Sequence, residues 1–98
     1  MSRAGFVYLM ANRKRGRTYL GVTSNLAKRA WEHREGSGSE YSKEHDCKLL
    51  VWFEPHDDIQ SARLRELQMK KWKRAWKLEL IEKDNPEWND LYLTTQWN

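Results

Sequence analysis

Two tyrosines eleven positions apart, Tyr8 and Tyr19, each sit in a short apolar stretch, and Arg29 and His33 follow ten and fourteen positions after the second. A guanidinium is a permanent planar cation suited to bidentate contact with an oxyanion. An imidazole titrates near neutrality and can relay a proton. A phenol donates or accepts a hydrogen bond but is a weak base. Near pKa 10 about 0.1% of it is ionised at pH 7, and bringing it to neutrality takes about three units, or roughly 4 kcal/mol, which nearby positive charge must supply. Further along, Glu66 lies within an otherwise apolar and basic segment. Each residue alone has a plainer reading: tyrosines pack hairpins, histidines sit on surfaces, and Glu66 can pair with Arg63 or Lys70 at helical spacing for a few tenths of a kcal/mol. The set acts only if the fold gathers it.

The elements that must do so are legible. Phe6 to Met10 and Thr18 to Val22 are short β-prone runs separated by the polar stretch Asn12 to Gly16, which reads as a hairpin with Gly16 supplying a positive φ at the turn. Period-two alternation places Phe6, Tyr8 and Met10 on one face and Val7 and Leu9 on the other. Thr23, Ser24 and Asn25 offer caps for a helix over residues 25–35, stopped by Gly36. On it Arg29 and His33 border the buried stripe, while Lys28, Glu32 and Glu35 face solvent and Trp31 falls to the core. Cys47 to Phe53 reads as a third strand closed by Pro55. A second helix from Ile59 to about Lys83, capped by Asp57 or Asp58 and broken or not near Trp72, carries an apolar stripe of Ile59, Ala62, Met69, Trp72 and Trp76 with Glu66 inside it. If continuous, it also presents a basic ridge of Arg63, Lys70, Arg74 and Lys77. Asn85, before Pro86, is disfavoured in a helix.

At 98 residues the chain reads as a single domain, with 18 Lys and Arg against 14 Asp and Glu, a net charge of +4. The pI is near 9.3 and the mean hydropathy −1.00. Residues 1–35 hold eight basic and two acidic side chains and residues 61–77 seven and one, while 36–60 and 78–98 are acidic on balance. Such segregation suits a polyanion. No apolar run approaches the ~20 residues of a bilayer span and the start lacks a secretory pattern, so the chain reads as cytoplasmic. Lone Cys47 forms neither an intramolecular disulfide nor a zinc site. The core therefore rests on apolar packing, to which several of the six tryptophans contribute. His45 and His56, without metal-ligand spacing, read as surface residues.

The order Phe6-Val7-Tyr8, Tyr19-Leu20-Gly21, Arg29, His33 and Glu66 resembles the GIY-YIG nuclease superfamily, in particular its small stand-alone bacterial URI-type members, over about residues 5–92. The resemblance implies an α+β fold: a small three-stranded, mainly antiparallel sheet flanked by helices. It also implies a Mg-dependent endonuclease hydrolysing DNA phosphodiester bonds, with Glu66 holding the cation and Mn²⁺ able to substitute. Phe6 and Val7 stand where the family has Gly and Ile, and Leu20 where it has Ile; none of these removes a catalytic group. A Lys used by some relatives is Val22 here, and the family's downstream Asn is not carried over to Asn85, nineteen positions after Glu66.

On that reading Arg29 stabilises charge on the scissile phosphate and Glu66 binds Mg²⁺ through one carboxylate, with water and phosphate completing the shell. Tyr8 is the preferred base, Tyr19 the positioning donor, and His33 an orienting or relaying group. Lys43, Arg63, Lys70 and Arg74, with Ser42, are candidate phosphate contacts. The expected partner is structured, branched or damaged DNA, with RNA left open. Two alternatives stand beside it: a non-catalytic nucleic-acid-binding module that kept the fold, and a protein-interaction domain using the Trp-rich end.

Overall fold

The computed structural model describes residues 4–36, 43 and 45–96. Three strands form one antiparallel sheet in the order β2-β1-β3, with β1 (Gly5–Ala11) central, β2 (Thr18–Thr23) on one edge and β3 (Leu49–His56) on the other. Alternation along β1 sends side chains to two cores. Val7, Leu9 and Ala11 pack with Ala62, Met69 and Ile81, whereas Tyr8 and Met10 pack with Leu26, Ala30 and Cys47. The central strand is thus buried on both faces. α1 (Leu26–Arg34) covers one face, and α2 (Ile59–Lys70) and α3 (Arg74–Asp84) cover the other. The expected α+β arrangement of three antiparallel strands flanked by helices is what forms.

Capping fixes where two helices begin. Asn25 and Asp58 accept from the backbone N–H groups of Lys28 and Ser61, satisfying donors that a helix start leaves orphaned. α1 ends with Gly36 at φ 81°, in the left-handed region that glycine adopts without steric cost.

Three local expectations are corrected, and the open question of a break near Trp72 is answered. In the β1–β2 turn it is Arg15, not Gly16, that takes a positive φ, 58°. Gly16 is needed for space, since a Cβ there would lie 2.1 Å from Asn12 Oδ1, the atom that accepts from Arg17 N. β3 begins at Leu49 and runs through Pro55 to His56; an edge strand tolerates the missing N–H. Its register shifts opposite Leu9 and Met10, so that Val51 and Trp52 both join the α2 side. The long helix breaks at residues 71–73, where Lys73 is extended. Trp72 stays half-buried against the core while Trp76, placed on the stripe by a continuous helix, is 50% exposed. Trp31, expected in the core, is also 50% exposed, because α1 offers the sheet only Leu26, Ala30 and His33.

Beyond α3 the chain returns along β3 to a short 3-10 helix, Tyr92–Gln96. Leu91 N donates to Leu50 O at 2.7 Å and Asp90 Oδ1 accepts from Leu50 N, which occupies backbone groups on that edge. Asn85 is buried; its Nδ2 donates to Val51 O and Asn89 O, and its Oδ1 accepts from Asn89 N. It is a tie between sheet and C-terminal segment. Among the described residues no helix is long and apolar enough to cross a membrane.

Candidate active site

Tyr8 stands in the middle of β1 directly opposite Gly21 of β2. Its ring crosses the neighbouring strand through the space a side chain would fill: a Cβ on Gly21 would lie 2.5 Å from both Cζ and Oη of Tyr8. The hydroxyl then meets α1, where His33 Nε2 is 3.0 Å away. Tyr19, opposite Met10, completes a triangle of rings, with centroids 6.3 Å from Tyr8 and 5.2 Å from His33. Tyr8 is 1% exposed and His33 is buried, but Tyr19 is only half-buried. Of the two phenols, Tyr19 is the one solvent reaches.

Arg29 lies one helical turn before His33, on the exposed rim, with Nε 3.2 Å from Glu32 Oε1. Thr23, Asn25, Lys28, Arg29 and Glu32 line a polar cleft of about 210 Å³ there. Glu66 comes from the opposite side, on α2 between buried Ala62 and Met69. Its side chain is 10% exposed, and its Oε2 accepts from Lys70 Nζ at 3.0 Å.

Burial sets the electrostatics. It pushes the Tyr8 phenol above its ordinary value of 10, reinforced by Tyr19, Glu32 and Glu66 and opposed by Arg29. Arg29 acts in the direction a phenolate needs, but burial outweighs it. His33 is lowered to about 4, by burial first and then by the Arg29 cation, with Glu32 opposing. It is therefore neutral at pH 7 rather than titrating there. With its other nitrogen carrying the proton, Nε2 accepts from Tyr8 Oη.

The structure thus brings Tyr8, Tyr19 and His33 together, with Arg29 one turn before His33 on the same helix, while Glu66 is carried by α2, the helix across the sheet. It does not form the basic ridge. The break at residues 71–73 separates Arg63 and Lys70 from Arg74, Lys70 is paired with Glu66, and Arg74 donates to Arg15 O and Gly16 O. Lys43 is exposed, and Ser42 lies outside the described residues. His56, expected at the surface, is half-buried with Nε2 2.7 Å from Glu54 Oε1. Sequence reasoning passed over Glu32, assigned to solvent although its spacing from Arg29 allows an ion pair. It also passed over Gly21 as the opening that admits the phenol.

Among the described residues no three His, Cys, Asp or Glu side chains gather into a metal cage. Glu66, a mostly buried carboxylate, would offer one oxygen ligand to a hard divalent cation in exchange for the Lys70 ammonium it now holds.

Comparisons with known proteins identify the family and the fold. A family model for the GIY-YIG catalytic domain matches residues 4–79. A UPF0213 protein of Syntrophus aciditrophicus is 44% identical over 70 residues, spanning 70% of this chain and 79% of its own. Another from Clostridium perfringens is 40% identical over 63 residues, 64% and 68% of the two chains. In fold, the chain is similar to a UPF0213 protein of Bacillus halodurans solved by solution NMR, with a TM-score of 0.54 at 23% identity over 89% of this chain and 92% of that one. The chain therefore belongs to the GIY-YIG nuclease family, among its UPF0213 members.

Proposed function

We propose that this protein is a metal-dependent endonuclease that hydrolyses phosphodiester bonds in DNA. The observation that carries the reading is the Tyr8 Oη to His33 Nε2 contact of 3.0 Å beside Tyr19, with Arg29 one helical turn before His33. Phosphodiester hydrolysis needs an oriented water, a route for its proton and neutralisation of charge on the phosphoryl oxygens. Arg29 supplies the last. Its pair with Glu32 is an exposed contact worth a few tenths of a kcal/mol, so a phosphate displaces it at little cost.

Tyr19, the phenol that solvent reaches, positions the attacking water. His33 Nε2, 3.0 Å from Tyr8 Oη, orients that hydroxyl, since burial and Arg29 make the imidazole a weak base. Tyr8 is the base on this reading: burial disfavours its phenolate, and Arg29 together with a bound cation would act in the opposite direction. Glu66 would hold Mg²⁺, with Mn²⁺ able to substitute, and the cation would supply positive charge toward the phosphodiester.

The test is incubation of plasmid and branched DNA with the purified protein and Mg²⁺, beside Glu66→Ala and a chelator control. Metal-dependent nicking by the natural chain with a loss of at least about 100-fold in the variant is the expected outcome. Equal cleavage by both proteins would remove Glu66 from the site, and salt-sensitive binding with no metal-dependent product would make the chain a binding module.

A further inference from the structure

The β1–β2 turn carries Arg13, Lys14, Arg15 and Arg17 in five positions. Turns of this length are commonly loose, but this one is tied to α3 and the segment after it. Arg15 donates from Nε and Nη2 to Glu82 at 2.9 and 3.2 Å, and Lys14 pairs with Glu87 at 3.3 Å. Arg74 Nη2 donates to the carbonyls of Arg15 and Gly16, both at 2.7 Å. The result is a fixed cleft of about 340 Å³ lined by Arg13, Arg15, Gly16, Arg17 and Arg74, with no carboxylate in its wall.

Only Arg15 of the four arginines is neutralised by an acid. Arg74 spends its bonds on carbonyl oxygens and keeps its charge, and Arg13 and Arg17 form no ion pair among the described residues. Holding three uncompensated guanidiniums around one cleft is unfavourable by itself. An anion with several oxygen acceptors removes the repulsion and uses the planar donors.

We infer that this arginine-lined turn is a second phosphate site, which grips the backbone of the bound nucleic acid a few nucleotides from the bond to be cut. Its placement follows from the hairpin. Arg17 is two residues from Tyr19 and Arg13 five from Tyr8, so at about 3.4 Å per residue the turn begins roughly 7–17 Å from the ring triangle. At about 3.4 Å per nucleotide step that is two to five nucleotides. The inference rests on nucleic acid being the substrate, as proposed above.

The experiment is fluorescence-anisotropy binding of a labelled 20-base-pair DNA without added metal, from 0.05 to 1 M salt. It compares the natural chain with Arg13→Ala/Arg17→Ala and with a charge-matched control, Lys71→Ala/Lys83→Ala. Losing two phosphate contacts lowers the slope of log K against log salt by about 1.8, equivalent to roughly 60-fold weaker binding at 0.1 M that converges at 1 M. The control keeps the natural slope. Thermal melts show both variants folded, since the exchanged side chains are exposed. An unchanged slope in the arginine variant, an equal loss in the control, or no DNA binding by the natural chain would each overturn the inference. So would a preference for 5′-phosphorylated over 5′-hydroxyl DNA that the arginine variant loses, because the site would then read strand ends. No readout here depends on cleavage: absent nuclease activity defeats the previous proposal and leaves the turn as a phosphate site on bound nucleic acid without a scissile bond, whereas absent DNA binding overturns both.

Discussion

Gly21→Ala is a one-carbon change whose sign the structure reverses. Gly21 does not occupy the left-handed region of backbone space, so replacing it by Ala should on general grounds stabilise by about 0.4–1 kcal/mol through the unfolded chain. Here the new Cβ would lie 2.5 Å from Tyr8 Oη and Cζ, about 1 Å inside ordinary contact. Tyr8 cannot swing away freely: it is 1% exposed and its hydroxyl is 3.0 Å from His33. Overpacking costs about 1–3 kcal/mol and a buried hydroxyl parted from its acceptor a further 1–3, so a net loss of about 2–4 kcal/mol is expected. For a domain of this size that lowers the melting temperature by roughly 10–25 °C.

The assay is thermal and urea denaturation of Gly21→Ala in the natural background and in Tyr8→Leu, whose side chain lacks the offending atoms. In the Tyr8→Leu background the same substitution should be neutral or mildly stabilising, a coupling of at least about 2 kcal/mol between the two positions. A natural-background variant that melts at or above the parent would refute the account of Gly21 as the opening for the phenol. So would an equal loss in both backgrounds.

Three further outcomes follow from the same contacts. Arg29→Lys keeps the charge but loses the planar fork, and is expected to reduce kcat by roughly 100-fold with little change in melting temperature, checked by single-turnover cleavage. His33 is lowered from 6.5 to about 4, so the stability it confers is fully present above about pH 6.5 and is lost as pH falls through 4. Discounted for solvent at the Arg29 rim, the loss is roughly 2 kcal/mol, and urea denaturation at pH 7 and 4.5 should show it in the parent but not in His33→Gln. Asn85→Ala strands Val51 O and is expected to cost about 1–3 kcal/mol of stability while leaving cleavage per folded molecule unchanged, which separates its tie to the sheet from any role in the site.

How far the sequence could be read is decided by which forces were local. The hairpin, the cap at Asn25, the stop at Gly36 and the two-faced β1 follow from alternation and capping, and these depend on neighbours along the chain. The break after Lys70 does not. Residues 71–73 are Lys-Trp-Lys, with no Gly or Pro to interrupt a helix, and helical spacing alone carries the pattern on to Trp76. What accompanies the break is tertiary: Trp72 packs half-buried on the α2-side core with the Arg65 guanidinium 5.1 Å from its ring centre, while Trp76 meets its edge from outside. The extension of β3 through Pro55 is similar, since a proline forbids a central strand but not an edge one, and edge position is a property of the sheet.

The site divides along the same line. The resemblance to the GIY-YIG family is what singles out Tyr8, Tyr19, Arg29, His33 and Glu66 as the proposed set, since each residue type alone has a plainer structural reading. Their protonation is not written in their order. An arginine one turn before a histidine lowers the imidazole whether or not it is buried, but only depth in the fold shows that desolvation comes first, and that the same depth lifts the phenol beside it. The two shifts push the proton the same way, toward the Tyr8 oxygen and off His33. On the proposed function, Lys70 beside Glu66 and Glu32 beside Arg29 are the charges that a divalent cation and a phosphate would have to displace. Because a single carboxylate would hold such a cation weakly on its own, substrate and metal are expected to bind together.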